Sequence, residues 1–495
     1  MKTTLSILAF AFAYISNAQT VVDYTIKYTP DIATKGLLVE MVYKTKKAQD
    51  PIYFHYFNDG WGESDLFNCL SIQSSDNPEM TIEQNRDSNR LIVHYPKSKR
   101  ITFTYRIQQD YPGDSIDIFN RPKMSDTYFH ILGRSLFVVP EDVFADNENR
   151  IEANIQWKGF PNDYVIHNTF DSQVQSQTIK TSLHEGLYHS LFVGGDYRLY
   201  PFTDHKKEIV FAVRGNWLSE YSDDQKMLAA LQRTVQTQRE FWNDFERDYY
   251  TVIMSPTVTQ NDSLYKGQSS TGSAVKNGFM LQSSNNPFNQ FYVLNYMFNH
   301  EMMHEWIGLT IKNEHEELNY WFSEGFTDYY TYKNRVRSGD MSLEEWRESF
   351  NKDVLMAHYS NPERNQPNYV IVDDFWKSRN VEKIPYRRGA IFAFWLDNKI
   401  MKCSNYRLSL DDFMRELLVI SKTKNLHLTD ELFLTEVKKY IKDEDISYEF
   451  QKYILVGEDI PFTQSNLIDC FAVEFNEEVP QIVLKESAVK YIIKQ

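Results

Sequence analysis

His300-Glu301-Met302-Met303-His304 sets two imidazoles four residues apart, with a carboxylate beside the first. The flanking run from Phe291 to Ile307 holds no strong helix breaker. On a helix, residues four apart lie one turn apart on one face, so both rings can reach one metal ion. Glu301 projects beside that face, where a carboxylate can hold a metal-activated water and take its proton. Taken alone, the five residues are equally compatible with two packed or surface histidines, and a third ligand has to decide.

Trp321-Phe322-Ser323-Glu324-Gly325, continuing to Tyr330, offers that ligand in a second helical segment whose first turn Ser323 is placed to cap. Glu324 lies among aromatic residues, and a carboxylate with apolar neighbours is costly to bury unless paired or metal-bound. Two imidazoles and one carboxylate leave a fourth position open, which is the catalytic rather than the structural zinc arrangement, with one Zn2+ per chain. Asp328, one turn beyond Glu324, either accepts the free N–H of His300 or is a solvated helix residue. His315, in Glu314-His315-Glu316-Glu317, reads as a solvated loop residue between the two segments.

The elements around these residues follow from hydrophobic period. From Val21 to Val213 short runs alternate apolar and polar residues, as in Leu91-Ile92-Val93-His94-Tyr95, with turn clusters between them; this predicts an all-β domain. Near Ser222 the period changes to helical, with Met227, Leu228, Leu231, Val235 and Phe241 on one face through Glu246. A strand at Tyr250–Met254, a polar stretch at Thr257–Asn286 and the helix from Phe291 follow. Helical pattern returns from Arg407 to Tyr453, and a β-like tail spans Ala472 to Ile493.

The run from Phe298 to Tyr330 resembles the gluzincin metallopeptidases, in which an H-E-x-x-H helix is followed by a helix carrying a ligand Glu. Within them Trp321–Tyr330 is most similar to the glycyl aminopeptidase family, and more distantly to the alanyl aminopeptidase family. The 19 residues between His304 and Glu324 are one more than is usual in the alanyl type, which favours the glycyl type. Gly60-Trp61-Gly62, Leu408–Met414 and Asp443–Pro461 resemble further parts of the glycyl-type chain. Pro385-Tyr386-Arg387-Arg388-Gly389-Ala390 is similar to a segment that supplies a catalytic tyrosine in both families, implying that Tyr386 donates to the oxyanion of the tetrahedral intermediate.

The resemblance implies a multidomain fold of β plus α/β-α class: a β-sandwich-like N-terminal domain at 19–213, a thermolysin-like zinc peptidase domain at 214–405, a helical region at 406–470 and a short tail at 471–495. It also implies that Ser270–Gly278 is the Gly-rich segment that meets the peptide substrate. Gly272 there lets backbone approach an extended peptide. Relatives with aminopeptidase activity end this segment in a Glu that binds the substrate amine. Here Ala274 stands at that place, with Lys276 nearby, so dependence on a free N-terminus is not expected.

Composition limits partners. The chain has 495 residues, 42% hydrophobic and 15% aromatic, enough for more than one core. A formal charge of -15 disfavours nucleic acid and anionic lipid. Residues 1–18 read as an export signal: Lys2, the apolar run Leu5–Ile15, then Ser16-Asn17-Ala18 as a small-x-small cleavage site. The mature chain is then periplasmic or extracellular, without a membrane anchor. Cys69, Cys403 and Cys470 allow one bridge at most and no C-x-x-C zinc site. The expectation is an exported zinc-dependent metallopeptidase that cleaves peptide bonds with a zinc-activated water and Glu301 as general base. Its rivals are a catalytically weakened zinc-binding scaffold and a non-peptide zinc hydrolase of the same fold.

Overall fold

The computed structural model describes residues 20–45, 49–59, 63–95, 98–113, 120–145, 148–217, 223–257, 266–442 and 444–485. The leader at 1–18, Gly60-Trp61-Gly62 and the end of the tail at 486–495 lie outside the described residues. Contacts divide the chain into two compact units, Met1–Pro112 with Asn120–Gly195, and Gly113–Phe119 with Asp196–Gln495.

In the first unit the period-two pattern becomes half-buried strands. Along Thr20–Lys27 the side chains of Val22, Tyr24 and Ile26 are buried while Val21 and Asp23 are exposed. This strand lies inside a six-stranded sheet, parallel to Arg150–Lys158 on one side and antiparallel to Leu37–Lys44 on the other. Two four-stranded sheets complete the unit, one around Ile52–His55 and Arg90–His94, the other around Tyr128–Leu132 and Leu191–Gly195. Tyr24, Phe54, Phe103 and Phe129 belong to one shared core.

The second unit begins at Asp196, not at 214. Arg198–Asp204 and Lys207–Val213 look like the strands before them, yet Lys207–Val213 pairs in parallel with Tyr249–Pro256 and so joins the second sheet. That five-stranded sheet continues through Gly278–Ser283 to Ser270–Val275, which forms its edge.

Helix α1 (Asp224–Trp242) starts where the Asp223 carboxylate accepts from the Lys226 N–H at 2.8 Å, and stops at Asn243 in the left-handed region, φ 49°. Helix α2 (Phe291–Met303) carries the first metal-site residues. Polar ties fix α2 on α1: Gln238 Nε2 donates to the Asn299 carbonyl at 2.8 Å, and Asn299 Nδ2 donates to Thr234 Oγ1 at 3.1 Å.

Helices α3 (Gly325–Arg337), α4 (Arg379–Cys403) and α5 (Leu410–Lys424) complete the frame around the site. A β-carbon on Gly325 would stand 2.4 Å from Gly389 Cα, and one on Gly389 would stand 1.9 Å from the Trp321 carbonyl oxygen. Only two glycines let these backbones approach so closely. Further along, Lys333 of α3 donates at 2.8 Å to both Asp397 and Asp411. Tyr329 donates to Asp397 at 2.5 Å, Tyr330 to Asp411 at 3.1 Å, and Arg337 pairs with Asp411. The two carboxylates thus join α3 to α4 and to the start of α5.

The tail forms a hairpin, Phe471–Asn476 with Val479–Leu484, held by two hydrogen bonds between Asn351 and the Ile482 backbone at 2.8 and 2.9 Å. All three cysteines are free thiols, so the bridge that arithmetic allows is not formed. Among the described residues no helix is long and apolar enough to cross a membrane.

Candidate active site

His300 sits on the last turn of α2 and His304 at its C-terminal cap, one turn on. His300 Nδ1–H donates to Asp328 Oδ1 at 2.9 Å, and His304 Nδ1–H donates to the Ile307 carbonyl at 3.1 Å. Each bond fixes the ring and leaves Nε2 as the free lone pair. The two Nε2 atoms face each other at 3.2 Å, and Glu324 Oε2 lies 3.3 Å from the first and 3.6 Å from the second.

The donor set fits a zinc ion. One ligand atom each from His300, His304 and Glu324 fall within 4.8 Å of one another, and no hydrogen-bond donor is aligned on the buried Glu324 Oε2. Three lone pairs converging where water is largely excluded repel one another unless a cation or protons stand between them. Two imidazoles and a carboxylate form a nitrogen and oxygen set that zinc takes, with a fourth position left over.

Without metal, protons must serve instead. Burial alone would lower His300, but the Asp328 and Glu324 carboxylates outweigh it and lift the imidazole to about 10. His304 is raised too, against its own burial, chiefly by Glu324. Burial would raise Glu324, yet the two histidines hold it well below the usual carboxylate range. Metal uptake at these three residues would therefore displace protons from the histidines. Zinc affinity should rise with pH through the neutral range, by about one decade per pH unit for each proton displaced. Chelator-competition titrations between pH 6 and 9 measure that slope, and a flat profile would contradict the reading.

Glu301 is buried and outside the ligand set. Its carboxylate packs on the edge strand at Gly272, where a β-carbon would fall 2.4 Å from Glu301 Cδ and Oε1. Burial raises the Glu301 carboxyl above its ordinary value, partly opposed by the two histidines. That shift moves a carboxylate towards the range in which general-base catalysis is efficient. The Tyr386 ring stacks on His300, centroids 6.1 Å apart and planes 18° apart, while Lys383 Nζ lies 4.4 Å from the Tyr386 ring centroid. Burial, then the Glu324 and Asp328 carboxylates, push the phenol well above its ordinary value, so its O–H stays a donor.

Two local expectations change, while that for His315 does not. Ser323 does not cap the Glu324 helix; that segment breaks into Tyr320–Ser323 and α3 at Glu324, and Ser323 Oγ donates to Glu316 at 2.6 Å. Lys276 lies past the end of the edge strand and its charge acts on the buried Glu305 carboxylate. Of the two residues, Ala274 alone then bears on a substrate amine. His315 is exposed, its carbonyl accepting from Asn319 at 2.9 Å.

Sequence reasoning passed over Tyr296, whose O–H donates to Asp328 Oδ1 and whose ring stacks on His300 at 5.8 Å. The signal was available: Tyr296 precedes His300 by one turn on the same face of α2. The Ile307 carbonyl that holds His304 left no trace in side-chain pattern.

This is the fold of the M1 zinc metallopeptidases, a class that solved structures define. An aminopeptidase N family protein from Idiomarina loihiensis superposes with a TM-score of 0.73 at 16% identity, over 92% of this chain and 79% of that one. An M1 zinc metallopeptidase from Deinococcus radiodurans, in a mutant form bound to a Tyr-Ser-Ala substrate, gives 0.54 at 11% identity over 90% of this chain and 95% of that one. A two-domain M1 zinc metallopeptidase mutant bound to L-tryptophan gives 0.54 at 10% identity, with the same coverage. At such identities the likeness is one of fold. No family model matches the sequence, and a search of curated proteins finds no match either.

Proposed function

We propose that this chain is an exported zinc-dependent metallopeptidase of the gluzincin kind, with a thermolysin-like catalytic unit closest to the glycyl aminopeptidase type. The observation that carries the reading is the convergence of His300, His304 and Glu324 beside Glu301. A zinc ion held by those three residues supplies Lewis acidity towards a peptide carbonyl and acidifies a water. Glu301 accepts the proton of the attacking water and returns it to the leaving amine. The Tyr386 phenol donates to the oxyanion that develops on the carbonyl. Asp328 and the Ile307 carbonyl keep both imidazoles turned towards the ion. The bare Cα of Gly272 leaves room for the Glu301 carboxylate, and the edge strand Ser270–Val275 that carries this glycine is the backbone along which an extended peptide would lie.

Digestion of a peptide library by zinc-loaded protein, with and without a chelator, tests the activity. No cleavage of any peptide, alongside cleavage of a non-peptide ester or amide, would favour the rival hydrolase reading. Specificity has its own expected result. With Ala274 where an amine-binding carboxylate would stand, a blocked N-terminus should be tolerated, because Ala274 offers no charge to compensate a buried ammonium group. One peptide assayed with and without N-acetylation should give comparable kcat/KM. Stepwise release of single residues from the free-amine form alone would restore an aminopeptidase.

A further inference from the structure

The short helix Val370–Asp374 buries Ile371, and with the following Phe375 it packs on Val381 and Ile384 of α4. Tyr320 and Tyr386 lie against the same small cluster. Val372 on this helix and Tyr369 and Trp376 just before and after it are 46%, 68% and 65% exposed, with the exposed Asp373 among them. Leu318, 37% exposed, adjoins them through a 2.5 Å hydrogen bond from Asn368 Nδ2 to its carbonyl. Single exposed apolar residues are ordinary, whereas large ones gathered on one face mark an interaction surface.

This surface runs into the candidate active site. The Glu324 N–H bonds to the Tyr320 carbonyl at 2.9 Å, so Tyr320 is one turn before the ligand. The Tyr320 ring meets Phe375 at 4.6 Å between centroids, and Phe375 meets Trp376 at 4.9 Å.

We infer that Leu318, Tyr369, Val372 and Trp376 form a specificity ledge that seats an apolar or aromatic side chain of the peptide away from the scissile bond. The inference rests on the peptidase reading above. Continuity with the site through Tyr320 and Phe375 favours a peptide, and Asp373 and Asp374 within the same helix oppose an anionic lipid surface.

The test uses zinc-loaded full chain and one peptide series of Ala background in which a single Phe is walked along each side of the scissile bond. Wild type should prefer Phe at one position by about tenfold in kcat/KM, the size of a modest apolar contact. Trp376→Ala and Tyr369→Ala should lose that preference, mostly in KM. Preference unchanged in both variants overturns the ledge, as does a dimer of wild type that either variant dissolves without changing the preference. Binding of the same peptides to Glu301→Gln protein, with and without Trp376→Ala, is read by fluorescence polarisation. Phe-dependent binding that Trp376→Ala abolishes supports the ledge even where wild type cleaves nothing, an outcome that would sink only the peptidase reading.

Discussion

Glu301→Gln should fold, retain one zinc and lose hydrolysis by roughly 10² to 10⁴, the usual share of a general base. The amide is nearly isosteric, so the contact with Gly272 survives and only proton transfer is removed. Nor does the substitution touch the proposed metal ligands, the atoms of His300, His304 and Glu324 that lie together. Elemental analysis beside a turnover assay separates the roles. His300→Ala should lose both zinc and activity. Equal loss of zinc in the two variants would place Glu301 in the ligand set and refute the division.

Lys333→Met should destabilise the second unit by about 3–5 kcal/mol, the range for breaking a buried ion pair from one side. Lys333 is 6% exposed, Asp397 2% and Asp411 fully buried, so no water is at hand to replace the ammonium group. Asp411 would keep the Arg337 cation, while Asp397 would keep the uncharged Tyr329 O–H and Leu410 N–H. The loss therefore falls mainly on Asp397, and adding Asp397→Asn to the Lys333→Met chain should recover part of it. Urea unfolding of the two variants measures both effects. A change below about 1 kcal/mol, the value of an exposed pair, would show that the network does not secure α3 to α4 and α5.

What the sequence disclosed follows from the range over which each signal acts. The spacing of His300 and His304, the position of Asp328 one turn past Glu324, and the alternation of Thr20–Lys27 are local, set by the period of one element. The placing of Arg198–Asp204 and Lys207–Val213 is not local, because a strand's pattern says which face is buried but not which sheet it joins. Ser323 looked like a cap because it precedes a helix, but Glu316, seven residues back, claims its hydroxyl. The buried tie between Lys333 and two aspartates far along the chain has no signature in composition. Gly389 was visible only as part of a resemblance. Its reason, the Trp321 carbonyl against its Cα, is a property of two helices brought together.

The His300 imidazole is in contact with two tyrosine rings, Tyr296 at 26° and Tyr386 at 18° between planes, and is bonded at Nδ1 to Asp328. Such a ring has one rotamer available, and the freedom it loses is surrendered when the chain folds rather than when an ion arrives. Metal capture then needs no rearrangement slower than side-chain motion on the nanosecond scale. The empty and filled proteins should then share one pattern of amide hydrogen exchange along α2 and α3.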